Sequence, residues 1–256
     1  MDILMGFELV NPLSEMISFV GGGGKTTTMF SLATKLKEID KKILVTTTTA
    51  IYYPSNNELF DEIFLTDQND LKQLYSIKEG QIYLLGSSVS KEGKLLGVNP
   101  ILLEEIYNMK IFDVILVEAD GSKGRPIKAP AKHEPVVPPS TTKYIGVIGL
   151  DALFMEINSD IVHRIEEFTR IVEANIGDII MPSTAARLIT HPEGLFKNIP
   201  SSNCQGYVLL NKGEGEGFEA GREIIRLLED NAPLFKRIII GSMKYEKDIK
   251  FWRDFN

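Results

Sequence analysis

Four consecutive glycines, Gly21-Gly22-Gly23-Gly24, stand between a short apolar run and Lys25-Thr26-Thr27. Each glycine gives up more backbone freedom on folding than any other residue, so a run of four is costly to order. It is kept where the chain must turn or be approached in ways a Cβ forbids. Upstream, Met16–Val20 reads as a buried strand. Downstream, Met29, Leu32, Ala33, Leu36 and Ile39 recur at steps of three and four, which predicts a helix over Thr26–Ile39. Strand, glycine turn, Lys-Thr and helix together form the arrangement that cradles phosphate groups. Backbone N–H groups point at the anion, reinforced by the positive end of the helix dipole. Lys25 is then expected to reach the β- and γ-phosphates and the Thr26 hydroxyl to ligate Mg²⁺, with Gly21, Gly22, Gly23, Gly24 and Thr27 completing the cradle.

The spacing is G-x-x-G-K-T-T, from Gly21 to Thr27, and not the longer G-x-x-x-x-G-K-[ST], whose first glycine position is held by Phe19. It resembles the abbreviated cradle of Mur-type amide ligases and, more loosely, those of dimeric GTPases and ATPases. Six further runs, Lys42–Thr46, Gln81–Leu85, Asp113–Glu118, Tyr144–Gly149, Gly206–Leu210 and Arg237–Ile240, also read as strands. Several are apolar throughout, as suits strands covered on both faces of a parallel sheet. Helical patterns lie between them: one from Asn99, with Pro100 in its first turn, through Ile106, and one over Ala220–Leu228. The alternation predicts a three-layer α/β sandwich with a mostly parallel sheet, like that of P-loop NTPases. All 256 residues are expected in a single domain, with 65–97 as a partly independent insertion.

The second chemical signal is the apolar strand that ends in Glu118-Ala119-Asp120. Two carboxylates two residues apart project from one face at the carboxyl end of a strand, the edge where open α/β sheets bind ligands. Asp120 is expected on the metal side and Glu118 as the group that polarises water or substrate. A loop over 121–142 with five prolines follows, and it carries Lys123, Arg125, Lys128, Lys132 and His133. Proline at that density excludes helix interior and central strand. The cations, Lys123 and Arg125 first, are expected to clamp a γ-phosphate or an anionic co-substrate. Asn211-Lys212-Gly213-Glu214 approximates the N-K-x-D by which many GTPases read guanine, with Glu in place of Asp, so ATP and GTP both stay open. The Thr46–Thr49 run ends a strand at the same edge; a hydroxyl there could meet metal or substrate, or serve only the strand.

Composition sets limits. With 28 Lys and Arg against 35 Asp and Glu the formal charge is −7, which argues against non-specific DNA binding. The lone Cys204 and three scattered histidines make a dedicated transition-metal site improbable. No apolar run reaches the roughly 18 residues of a membrane span, and a cytoplasmic protein is expected.

Three segments carry a family resemblance: Phe19–Thr27, Val117–Pro130 and His133–Pro138, with Val147–Leu153, Val162-His163-Arg164 and His191–Leu195 adding to it. They resemble the YqeC family, accessory proteins of selenium-dependent molybdenum hydroxylases. The resemblance implies a role in making or inserting the selenium-containing cofactor, with a molybdenum hydroxylase as partner. It marks Gly21–Thr27, Glu118, Asp120, Gly121–Pro126, Lys128, His133, His163 and Arg164, the last as a candidate for reaching the phosphates. His191, before Pro192, reads as a turn residue. The expected reaction is hydrolysis of a nucleoside triphosphate or phosphoryl transfer to an anionic molecule; a nucleotide-gated chaperone and a Mur-like ligase are the alternatives.

Overall fold

All seven of the expected strands belong to one nine-stranded sheet in the computed structural model, which describes residues 1–53, 59–66, 74, 76–200, 203–229, 234–245 and 248–255. In chain order the strands are β1 (Glu15–Gly21), β2 (Lys42–Thr47), β3 (Ala50–Tyr52), β4 (Glu62–Leu65), β5 (Gln81–Gly86), β6 (Lys94–Leu96), β7 (Val114–Glu118), β8 (Ile127–Lys128), β9 (Lys143–Gly149), β10 (Val162–His163), β11 (Gln205–Asn211), β12 (Arg237–Ser242) and β13 (Asp248–Asp254). The sheet runs β13-β12-β11-β9-β1-β7-β2-β5-β4, and two short pairs, β3 with β6 and β8 with β10, lie outside it. Only β13 is antiparallel to its neighbour in the sheet, and a register shift at Ile240/Gly241 marks that edge.

Among the described residues six α-helices cover the two faces: α1 (Ile3–Gly6), α2 (Lys25–Lys37), α3 (Pro100–Asn108), α4 (Ile165–Val172), α5 (Pro182–Thr190) and α6 (Glu216–Leu228). Helices α1 and α2 bury Ile3 and Leu4, and Met29, Leu32, Ala33 and Leu36, in one cluster with Ile17, Phe19, Ile43, Val45 and Leu116. On the opposite face α4, α5 and α6 pack Phe168, Ile171, Leu188 and Ile224 on Ile148, Val208, Leu210 and Ile240. Helix α3 adds Leu103 and Ile106 over Leu44, Tyr83 and Ile115 on that same side. The Asn99 side chain accepts from Ile101 N at 2.9 Å, so the expected start of α3 is capped as the sequence indicates. The result is the anticipated three-layer α/β sandwich with a mostly parallel sheet.

Within segment 65–97, strand β5 lies inside the main sheet, paired on both sides by β2 and β4, while β6 pairs with β3 outside it. Residues 67–73 and 75 fall outside the described set. Among the described residues no helix is long and apolar enough to cross a membrane.

The centre of the sheet fixes where chemistry can occur. Strand β1 is flanked by β7 and β9, with Phe19 opposite Glu118 and Gly21 opposite Val147. The glycine loop therefore leaves the sheet between the carboxylate strand and the Val147–Gly149 end of β9. Each glycine is needed there for a different contact. Gly21, Gly23 and Gly24 have φ of +90°, +80° and +120°. A Cβ on Gly23 would overlap the backbone of Gly149, and one on Gly22 would fall 2.8 Å from the Arg125 carbonyl. Four neighbouring segments press on four residues, which accounts for the length of the run better than a turn alone. Gly23→Ala is expected to cost at least about 2 kcal/mol through strain and overlap, lowering the thermal midpoint by roughly 5 °C or more. Gly121→Ala, whose Cβ would meet nothing within 4 Å, is expected to stay within about 0.5 kcal/mol. Thermal melts of the two variants side by side check both outcomes.

Candidate functional site

The amides of the glycine loop are largely occupied by the protein. Gly21 N donates to Asp120 Oδ2 at 3.1 Å, Gly22 N to Val147 O at 2.9 Å and Gly23 N to Arg125 O at 3.0 Å. The anion-facing groups are thus the next ones along, in the first turn of α2, which begins at Lys25 with Gly24 as its N-cap and has no side chain capping it. That turn faces a cavity of about 1110 Å³, lined from the loop by Gly23–Thr27 and closed around by the ends of β7, β9, β11 and β12, by the Gly121–Arg125 loop and by β3. Six cations line it (Lys25, Lys94, Lys123, Arg125, Lys212, Lys244) against four carboxylates (Glu118, Asp151, Glu214, Glu216). In a chain whose net charge is negative, this local excess of cations suits an anionic ligand.

Both carboxylates after β7 converge on Lys25, as their two-residue spacing predicts. Lys25 Nζ lies 3.2 Å from Asp120 Oδ1 and 3.8 Å from Glu118 Oε1, and donates to Gly21 O at 2.6 Å. The two acids then diverge. Glu118 lines the cavity and accepts from the Thr26 hydroxyl at 2.6 Å. Asp120, 1% exposed, does not line it; its Oδ2 takes Gly21 N and lies 3.1 Å from Lys128 Nζ. Burial alone would draw the Lys25 ammonium down, yet Asp120 and Glu118 more than offset it and hold the pKa above its ordinary value. Glu118 is pushed up by burial in spite of Lys25 and the Thr26 hydroxyl. A hydroxyl and a carboxylate side by side at the cavity wall form a donor set fit for a Mg²⁺ ion shared with a phosphate ligand. Among the described residues no cluster of three or more His, Cys, Asp or Glu could hold a metal by itself.

The proline-rich loop divides its cations between interior and cavity. Lys128, 1% exposed, donates to Gly121 O at 2.8 Å and to Glu134 Oε2 at 2.9 Å. Arg164 NH2 reaches Glu134 Oε1 at 3.3 Å. Ile127-Lys128 also pairs with Val162-His163 as a short parallel ribbon, so the loop holds more regular structure than its prolines suggest. These contacts correct the expectation for Lys128 and Arg164: both brace the fold, and neither lines the cavity. Lys123 and Arg125 do line it, and the Arg125 guanidinium donates Nε to Ser159 O and NH1 to Lys123 O, each at 3.0 Å.

At the other end of the cavity Asn211 is 2% exposed and has both polar atoms engaged, Nδ2 to Gly23 O at 2.8 Å and Oδ1 from Met243 N at 3.0 Å. It braces the glycine loop from the cavity wall, with one bond at each polar atom of its amide. Lys212 pairs with Asp151 at 2.5 Å. Thr46, Thr47 and Thr48 bond to the carbonyls of Leu85, Glu118 and Val136, so their hydroxyls serve the strand ends. His191 Nδ1 accepts from Glu193 N at 3.0 Å, the turn role expected of it; His133 is exposed. Burial pushes the Cys204 thiol up to about 12, which keeps it unreactive. Sequence reading missed Lys94, Asp151 and Lys244. Asp151 and Lys244 follow strands that end at the cavity edge, a signal open to the strand-end rule; Lys94 arrives only through the β3–β6 pairing.

Two groups, the half-buried His163 and the buried Glu134, each contribute a pH dependence of the same sign. His163, desolvated and near Lys128 and Arg164, is lowered to about 4. Burial would raise Glu134, but Lys128, the Ala131 amide and Arg164 hold it at about 2. In both cases the unfolded chain binds the proton more readily. Stability is therefore complete above about 6.5, falls through the His163 window toward about 4, and falls further through the Glu134 window below about 4.5. Urea midpoints measured from pH 7 to pH 4 are expected to decline, and His163→Gln is expected to flatten the decline above pH 4.5. An unchanged midpoint over that range would contradict the assignment.

Comparison with known proteins agrees with these segments. The family model described as YqeC protein matches residues 17–166, which hold the glycine loop, the carboxylate strand and the proline-rich loop. A protein of Escherichia coli (strain K12), described as uncharacterized protein YqeC, is 32% identical over 217 residues, 84% of this chain and 83% of its own length. Among solved structures, the MinD cell division protein of Aquifex aeolicus superimposes with a TM-score of 0.43 at 18% identity, covering 88% of this chain and 81% of its own. With the family model spanning more than half of its residues and a relative alike over most of its length, this chain belongs to the YqeC family.

Proposed function

We propose that the chain binds a magnesium nucleoside triphosphate in the cavity at the start of α2 and hydrolyses it or transfers its terminal phosphoryl group. The observation that carries this reading is the joining of Lys25, Thr26 and Glu118 at an uncapped helix start in a cation-rich cavity. Thr26 and Glu118 would hold the Mg²⁺, which when bound offsets charge on the β- and γ-phosphate oxygens. Asp120 moves from the metal side, where the sequence suggested it, to a supporting role: it holds Gly21 N and keeps Lys25 charged. Lys25 is already protonated and needs only to swing from the Gly21 carbonyl to a phosphate oxygen. Lys123 lines the cavity, is exposed, and would serve an anionic co-substrate; Arg125 is held by its carbonyl contacts. By family resemblance, the co-substrate is a component of the selenium-containing cofactor of a molybdenum hydroxylase, and the setting is the cytoplasm.

A second reading, a nucleotide-gated carrier with slow turnover of its own, is favoured by the engaged Arg125. The phosphate end then offers lysines and no free arginine among the described lining residues, and an arginine from a partner protein would speed the reaction. A Mur-like ligation rests on the short glycine spacing alone.

Thermal melts with Mg²⁺ and nucleotide test the binding, because a ligand held only by the folded state raises the midpoint by mass action. Wild type is expected to shift upward, and Lys25→Ala to weaken binding by roughly 100-fold. Glu118→Gln is expected to lose Mg²⁺-stimulated phosphate release while its own melting point still rises on addition of nucleotide. No shift with any nucleoside triphosphate would refute the binding; a normal shift with no phosphate release, alone or with a molybdenum hydroxylase, would leave only the carrier reading.

A further inference from the structure

The base-binding end of the cavity holds a carboxylate that the phosphate chemistry does not use. Thr26 and Glu118 line the cavity beside the start of α2, and Lys212, Glu214, Lys244 and Tyr245 line it beyond Asn211. Asn211 ties the two together, since its side chain touches Gly23 on one side and the Met243 amide on the other. A nucleotide whose phosphates rest on α2 therefore points its base toward Glu214. One oxygen of Glu214, Oε1, accepts from the Ser242 hydroxyl, which fixes the carboxylate at the end of β12. The neighbouring Lys212 is committed to Asp151, and among the described residues Glu214 has no ion-pair partner. What remains is an anchored, half-buried acceptor with no cation of its own.

Base chemistry then discriminates. The Watson–Crick edge of guanine presents two adjacent donors, N1–H and the 2-amino group, and a carboxylate accepts from both. Adenine presents a lone pair at N1 beside a single donor, so the same carboxylate faces repulsion at one position and gains at most one bond. The extra methylene of Glu relative to Asp is accommodated because Ser242, and not chain length alone, fixes where the carboxylate rests. Tyr245, 74% exposed, lines the same cavity and offers an aromatic ring, its centroid 5.2 Å from Lys244 Nζ, for a base to lie on.

We infer that Glu214 makes this a guanine-nucleotide site; the inference rests on the nucleotide reading above and adds the base to it. Calorimetric titration of the full chain in Mg²⁺ with GTP, ITP and ATP tests it. GTP is expected to bind at least tenfold tighter than ATP, with ITP, which lacks the 2-amino group, in between. Glu214→Gln is expected to weaken GTP at least tenfold and bring it level with ATP, while Glu214→Asp keeps a preference for GTP. ATP binding as tightly as GTP in the wild type, or an unchanged GTP-to-ATP ratio in Glu214→Gln, overturns the base assignment and leaves nucleotide binding standing. Binding of none of the three overturns both. The wild-type series decides the matter even if a variant fails to fold.

Discussion

The arrangement depends on a chain of buried charges that runs from Lys25 through Asp120 and Lys128 to Glu134, with Glu118 at one end and Arg164 at the other. Three cations meet three carboxylates, and Lys25, Glu118, Asp120, Lys128 and Glu134 are all buried. Charges removed from water are tolerated when paired, and deleting one partner typically costs about 3–5 kcal/mol. The chain therefore holds three segments together: the glycine loop through Gly21 N, the end of β7, and the proline-rich loop through the Gly121 carbonyl and the Ala131 amide. On the proposed reading, a phosphate entering the cavity would add negative charge next to Lys25 and compete with Glu118 and Asp120 for it.

The close backbone approach around the glycine loop has the same origin. Residues 125–127 can be stitched to Gly22 and Gly23 because Lys128 anchors the loop from below, and the end of β9 closes the other side through Gly149 N on Pro126 O at 2.8 Å. Catalytic loops are commonly mobile and positioned by a rigid scaffold. Here the glycine loop is itself part of the scaffold, and the freedom left at the cavity belongs to exposed side chains such as Lys123 and Lys244.

The sheet was legible in the sequence because its inner strands are buried on both faces and need no alternation to be noticed. Strands β4 and β13 were not: Glu62–Leu65 is a four-residue edge strand, and Asp248–Asp254 alternates with charge at the other edge. Helices α4 and α5, of eight and nine residues, carry too few turns to establish a period against the surrounding turn residues. The site was readable where spacing dictates geometry, as in Gly21–Thr27 and the Glu118/Asp120 pair. It was not readable where a residue's role depends on a partner brought in by the fold. Lys128 resembles any loop lysine until Asp120 and Glu134 enclose it. Asn211 resembles a base reader until Gly23 and Met243 take both ends of its amide. The division of labour between Glu118 and Asp120 turns on which of them the Thr26 hydroxyl faces, and two residues of spacing say nothing about that.

The most direct test is a crystal structure of the chain with Mg²⁺ and a non-hydrolysable nucleoside triphosphate analogue. The account predicts β- and γ-phosphates on the first-turn amides of α2, Lys25 Nζ moved from the Gly21 carbonyl to a phosphate oxygen, and the metal between Thr26 and Glu118. A cavity filled by a protein side chain, or a nucleotide bound elsewhere with Lys25 still on Gly21 and Asp120, would contradict it.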